Sequence, residues 1–263
     1  MRYFYLTLLL LISAQTLFAA YSAQSNLTTT IEVGMFVSEP DSVIENIDGK
    51  YDFQDDFKYK QFNASYFGID INHQYAYIPN IAVNYFTQQE SQSTPLDKNI
   101  TIANDSYTGK VKSVTDYSVL NTLLYYTFKQ GSDYNSIMGY NLYTGHLEVD
   151  VGINIKYIDW SFIIQDLNNT QRSSSWITVK GISPAPYLAF RYNIWRISLY
   201  TKASALAMSE TEILDFEGGV IVQLFQGLHL SASYMYESFK ATEGNDKIDF
   251  ITGGYKASLL YKF

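Results

Sequence analysis

At 263 residues the chain is long enough for one large β domain or two small ones. It has no cysteine and a formal net charge of −8, which excludes disulfides, thiolate metal sites and thiol nucleophiles and argues against binding nucleic acid through a basic surface. Charged residues are only 17%, against roughly 25% in soluble domains, while aromatics reach 16% with 24 Tyr, whose apolar ring and polar tip suit a membrane–water boundary.

Residues 1–20 read as an export signal. Arg2 is a short positive start, Leu6 to Ile12 an apolar run, and Leu17-Phe18-Ala19-Ala20 a cleavage region, with the cut after Ala19, Ala20 or Ala23. The run is shorter than the ~20 residues of a spanning helix, and no later stretch is apolar enough to supply one. The domain proper is therefore expected over 21–263, in a protein that is secreted, periplasmic or built into the outer membrane as a barrel.

From there the pattern predicts about ten strands. The first, 27–37, sets Ile31, Val33, Met35 and Val37 against Glu32, Gly34 and Phe36. A polar, acidic connection (38–60) leads to a second at 62–73 and, through the turn at 77–80, a third at 81–91. In the fourth, 112–128, Leu123-Leu124-Tyr125-Tyr126 breaks the alternation. A longer connection with room for one helical turn (130–145) follows it. The fifth alternates best, with Leu147, Val149, Val151, Ile153, Ile155 and Tyr157 against Glu148, Asp150, Gly152, Asn154 and Lys156, and runs on to Gln165, past the thickness of a bilayer. The sixth, 175–192, contains Pro184 and Pro186, which predict a bulge or local unpairing. The seventh to tenth span 195–206, 212–225, 228–240 and 248–263.

Connections near 74–80, 193–194 and 226 are short, and those at 38–60, 92–111 and 167–173 are long, with 130–145 and the brief link near 208–210 as exceptions. Short turns on one side and long loops on the other are the pattern of a membrane barrel. A sheet in lipid must also close, since no water satisfies an open edge. The expected fold is thus all-β: a single closed antiparallel transmembrane β-barrel of about ten strands in a Gram-negative outer membrane, both termini periplasmic.

The last strand sets Phe263, Tyr261, Leu259, Ala257 and Tyr255 against Lys262, Leu260, Ser258 and Lys256. An ordinary strand of a soluble sheet could alternate in this way. Its terminal aromatic nevertheless resembles the assembly signal of bacterial outer-membrane barrels, and the resemblance implies that Tyr255, Leu259, Tyr261 and Phe263 are read by the barrel-assembly machinery. Ile78-Pro79-Asn80-Ile81, Leu147 through Asp159, Pro184-Ala185-Pro186-Tyr187 and the terminal strand together resemble a bacterial family of outer-membrane β-barrels named for a Gly-Gly feature, here Gly218-Gly219 or Gly253-Gly254. The resemblance implies location and fold, and it brings no catalytic residue.

Two function classes follow. The first is a structural or narrow-passage, porin-like barrel with outer-membrane lipid as its surroundings, no cofactor and no metal. Its lumen would hold a charge network of Glu148, Asp150, Lys156, Arg191, Arg196, Lys202, Asp215, Glu217 and Lys256. The alternative is an enzyme acting on lipid or peptide at the extracellular rim. The three histidines, His73, His146 and His229, fall near the periplasmic ends, out of reach of an outer substrate. The acidic residues between Asp41 and Asp56 could hold calcium, but they lack the EF-hand spacing and read as a solvated loop. Three finer expectations concern contacts. Arg191 should lie near Glu148 and Asp150; Tyr234 should pair with both Gly218 and Gly253 and cover them on the lipid side; and Arg191→Ala with Glu148→Ala should raise a low conductance.

Overall fold

Ten strands follow one another around a closed sheet in this computed structural model, which describes residues 27–73, 75, 77–131, 134–137, 140–143, 145–168, 174–207, 212–243 and 245–263. The export signal expected over 1–20 lies outside the described residues. The barrel strands are β1 (Leu27–Pro40), β2 (Phe62–His73), β3 (Asn80–Pro95), β4 (Lys110–Gly131), β5 (His146–Asp166), β6 (Ser175–Ile194), β7 (Ile197–Ala207), β8 (Glu212–Gln223), β9 (Leu228–Glu243) and β10 (Asp246–Lys262). Each pairs antiparallel with its neighbours in sequence, and β10 closes on β1, with Val33 opposite Leu259 and Phe36 opposite Lys256.

Three small hairpins decorate the barrel. Val43–Asn46 with Gly49–Asp52 adds to the far end of β10, Ile100–Ile102 pairs with Asp105–Tyr107, and Tyr134–Ile137 pairs with Tyr140–Tyr143. The last replaces the helical turn expected within 130–145, in keeping with the strand preference of its Tyr and Ile residues. The first two stand at the end away from the described chain ends, and the third at the end that carries them.

Alternation holds along every barrel strand. In β4 it runs unbroken, against the break expected at Leu123-Leu124-Tyr125-Tyr126. Leu123 and Tyr125 point inward and are buried, while Leu124 and Tyr126 point outward. The apparent break arises because the lumen tolerates apolar groups there: Leu123 and Tyr125 pack with Ala82 and Tyr187 inside the barrel.

The strands are longer than a bilayer demands. β4, β5 and β6 have 22, 21 and 20 residues, about twice the 9–11 that cross a membrane at a tilt. Their excess length shows as an inversion of phase. In β5 the outward row is apolar from Leu147 to Tyr157 and then turns polar at Asp159 and Ser161; the inward row is polar from Glu148 to Lys156 and then apolar at Ile158, Trp160, Phe162 and Ile164. The outward pairs Lys180–Asp159 and Lys240–Glu212, both at 2.8 Å, mark the same level on other strands. Below that ring the barrel wears an apolar belt, as lipid requires. Above it the wall is that of a water-soluble sheet around a hydrophobic core.

Candidate functional site

The interior is layered. At the end bearing the chain termini, Arg191 lies 3.2 Å from Glu148, directly across the β5–β6 ladder, and His146 touches the same carboxylate at 2.9 Å. The Tyr125 hydroxyl lies 2.6 Å from the Asp70 carboxylate and 2.9 Å from the Asn72 side-chain oxygen, and Thr127 donates to Asp150 at 2.6 Å.

At mid-height the pairs join both neighbouring strands and strands across the lumen. Lys156, on β5, reaches Asp215 on β8 at 2.5 Å and Glu237 on β9 at 3.3 Å. Glu217 takes Lys202 at 2.8 Å, Lys256 at 2.7 Å and the Tyr200 hydroxyl at 2.6 Å. Lys256 is 0% exposed, lies 3.0 Å from Glu32, and sits 4.0 Å over the ring of Tyr66. It is held there by charge and the ring face, without an aligned hydrogen bond. Among the described residues, the contacts just given engage four cations (Lys156, Arg191, Lys202, Lys256) and seven carboxylates (Glu32, Asp70, Glu148, Asp150, Asp215, Glu217, Glu237), an acidic excess. The pairing and layering fit the physical demand that an ion in a narrow lumen replace lost hydration with a partner. A cavity of about 70 Å³ remains between Asn84, Asn154, Tyr187, Lys202, Ser204 and Asp215, room for a few waters.

Above the ionic layers the lumen is predominantly aromatic. Phe36, Phe53, Phe57, Phe62, Phe86, Tyr117, Trp160, Phe162, Phe239 and Phe250 are all at most 2% exposed and form one cluster. Their rings meet edge to face or offset, as between Phe57 and Phe162 at 4.9 Å and Tyr117 and Phe250 at 4.6 Å. Phe53, Phe57 and Tyr59 come from the connection after β1, which folds inward over the mouth. Burial pushes the Tyr59 hydroxyl well above its usual range. The acidic residues of that connection are engaged locally: Asp52 caps the backbone of Gln54 and Asp55, and Asp56 pairs with Lys98 at 2.9 Å.

The sequence-derived residues fall as follows. Glu148, Asp150, Lys156, Arg191, Lys202, Asp215, Glu217 and Lys256 are in the interior. Arg196 is not. Ile194 pairs with Ile197, so Trp195 and Arg196 form the two-residue turn between β6 and β7; the guanidinium is exposed, 5.4 Å from the Trp195 ring. Glu32, Asp70 and the aromatic cluster were absent from the expected network, although the inverted alternation after Tyr157 announces the cluster. On β10, Tyr255 and Leu259 face outward, and the Tyr261 and Phe263 rings meet at 4.8 Å. The pairing of Gly218 with Tyr234 is found. Gly253 pairs instead with Tyr236, because Glu243 faces Asp246 and the β9–β10 register sits two residues from that expected. The Tyr234 hydroxyl still lies across Gly253, 2.6 Å from where a side chain would begin. His73, His146 and His229 all stand at the end carrying the chain termini.

Closure, an outward apolar belt and a filled interior decide the class. The fold is that of an outer-membrane β-barrel. No protein-family model matches the sequence, and no curated protein matches it. Among solved structures, Ail of Yersinia pestis is similar at 10% identity and a TM-score of 0.38, over 90% of this chain and 99% of that one. The translocator domain of the autotransporter NalP from Neisseria meningitidis is similar at 10% identity and 0.42, over 96% and 95%. Neisserial surface protein A is similar at 10% and 0.35, over 91% and 98%. Scores of this size bear on no activity, and the class rests on this chain's own register and facing.

Proposed function

We propose that this protein is a sealed, non-catalytic barrel of the bacterial outer membrane, a structural element or at most a very narrow passage, with both termini in the periplasm. The observation that carries the reading is the aromatic cluster, whose buried rings pack together above Lys156. The short turns at one end, with the hairpin-bearing connection at 130–145 as the exception, and the projecting, loop-bearing wall at the other support the orientation. Outer-membrane lipid is the partner of the apolar belt, and the barrel-assembly machinery reads Tyr255, Leu259, Tyr261 and Phe263 during insertion. The resemblance to the family named for a Gly-Gly feature belongs to this proposal too. It is supported by a division of labour common to both pairs: Gly218 and Gly253 lie on the outward side near Phe216 and Tyr234, whereas Gly219 and Gly254 lie inside, against neighbouring backbone.

Single-channel recording on the refolded protein in planar bilayers tests the proposal. Low or intermittent conductance is expected. A large, steady, porin-like conductance overturns it and makes solute diffusion the function.

A further inference from the structure

The wall of the barrel is not uniformly paired. The β6–β7 ladder runs from Ile194–Ile197 to Tyr187–Ser204 and stops. Yet β7 continues to Ala207, still paired on its other side with β8, and β6 continues back to Ser175, still paired on its other side with β5.

The reason is in the sequence. A two-residue turn makes its closing residues, Ile194 and Ile197, a hydrogen-bonded pair. Every second residue back along β6 (192, 190, 188, 186, 184) therefore turns its backbone polar groups toward β7. The next two rungs after the ladder ends would place Pro186 against Ala205 and Pro184 against Ala207. Both prolines lack the N–H that these rungs need, while on the β5 side the same residues occupy non-hydrogen-bonded positions and cost that ladder nothing.

The seam has a definite position and character. Its outer rim is apolar, with Ile182 71% exposed and Leu214 and Phe216 outward beside it. It lies just below the Lys180–Asp159 pair, which places it where hydrocarbon gives way to lipid head groups. On the inner side the β6 residues are small: Gly181, Ser183 and Ala185. A side chain added at Gly181 would meet nothing within 4 Å. Immediately below, the last paired rung, Tyr187–Ser204, lines the polar cavity together with Asp215 and Glu237.

Unpaired carbonyls at the edge of lipid must find donors. With two N–H groups deleted, the same register leaves the Ala205 and Ala207 carbonyls without their β6 donors, so the seam has more acceptors than donors. The same deletion, with Lys180 beside it, disfavours pairing with another strand. We propose that the seam binds the head of a membrane amphiphile that donates hydrogen bonds, a primary ammonium lipid head first among them. Its tail remains in the bilayer against Ile182, Leu214 and Phe216, and the acid excess of the interior favours the positive head.

Two lipids with the same phosphate separate the chemistry. Phosphatidylethanolamine carries a primary ammonium with N–H donors; phosphatidylcholine carries none on its nitrogen. Native mass spectrometry of the refolded protein, titrated with each lipid in detergent, should show a retained phosphatidylethanolamine and a marked loss of retention with phosphatidylcholine. Pro184→Val with Pro186→Val restores both N–H donors, lets the ladder extend to Ala207 and should abolish the preference. If that variant fails to show the heat-modifiable folded form, Gly181→Leu, which fills the opening without touching the ladder, should abolish it instead. Equal retention of both lipids, retention of neither, or a preference that survives in a folded seam variant overturns the proposal. Since the conductance measurement concerns the axis alone, its outcome and this one are independent.

Discussion

Single residues set the tolerances of this barrel. Lys256 stands between Glu217 and Glu32 with no exposure, so its removal leaves two carboxylates facing each other in a narrow interior. Lys256→Met is expected to lower stability by about 3–5 kcal/mol, as for other broken buried pairs. Adding Glu217→Gln should recover part of that loss, although Lys202 then loses its partner. Denaturant unfolding in lipid vesicles measures both. The glycines give a second contrast. A methyl on Gly254 would fall 2.0 Å from the Val37 carbonyl across the closing β1–β10 seam, whereas one on Gly218 finds its nearest neighbour, the Phe216 ring, at 3.4 Å. Gly254→Ala should therefore cost about 1–3 kcal/mol through overpacking, and Gly218→Ala less. The same unfolding measurement ranks them, and an equal effect would refute the close approach.

At the scale of elements, the strands carry two environments end to end. β5 buries Phe162 in the aromatic cluster and presents Ile153 to lipid. Phe162→Ala should destabilise by about 3–5 kcal/mol, the cost of a large core truncation. Ile153→Ala, on the lipid face, should cost far less; similar losses would mean that the upper barrel is not a packed core. β10 supports a different expectation. Phe263 packs on Tyr261, and its backbone N–H donates to Thr29 at 2.9 Å. Deleting Phe263 should reduce the folded, heat-modifiable form in the outer membrane and leave export intact. Unchanged folded levels in unboiled gel samples would refute this. All ten strands could be placed from alternation, because lipid outside and polar groups inside impose a period of two. The register of β9 against β10 could not: a two-residue shift preserves every facing, so alternation is blind to it.

For the whole molecule, the seal lies higher than the charges suggest. Arg191 with Glu148 fills the lower lumen, but the aromatic cluster closes the axis above it. Arg191→Ala with Glu148→Ala is therefore expected to leave conductance low. Adding Phe53→Ala and Phe57→Ala, which withdraws the rings that the β1–β2 connection inserts, should raise it clearly. Planar bilayer recording decides between them; an open channel from the lower pair alone would move the seal to the ionic layer.

Composition and alternation by themselves determined that the chain is a closed barrel with an apolar belt, because bilayer, wall and lumen each act on every second residue locally. The pairing of Arg191 with Glu148 was equally legible, since one hairpin register implies it. Other features needed the closed sheet. Arg196 is two residues from a strand's end, and only the turn geometry decides whether it enters the lumen or leaves it. Lys156 finds Asp215 and Glu237, and Lys256 finds Glu32 and Glu217, across distances in sequence that strand closure alone brings together. The aromatic seal likewise depends on the connection after β1 folding back into the mouth, a long-range hydrophobic contact that no local period encodes.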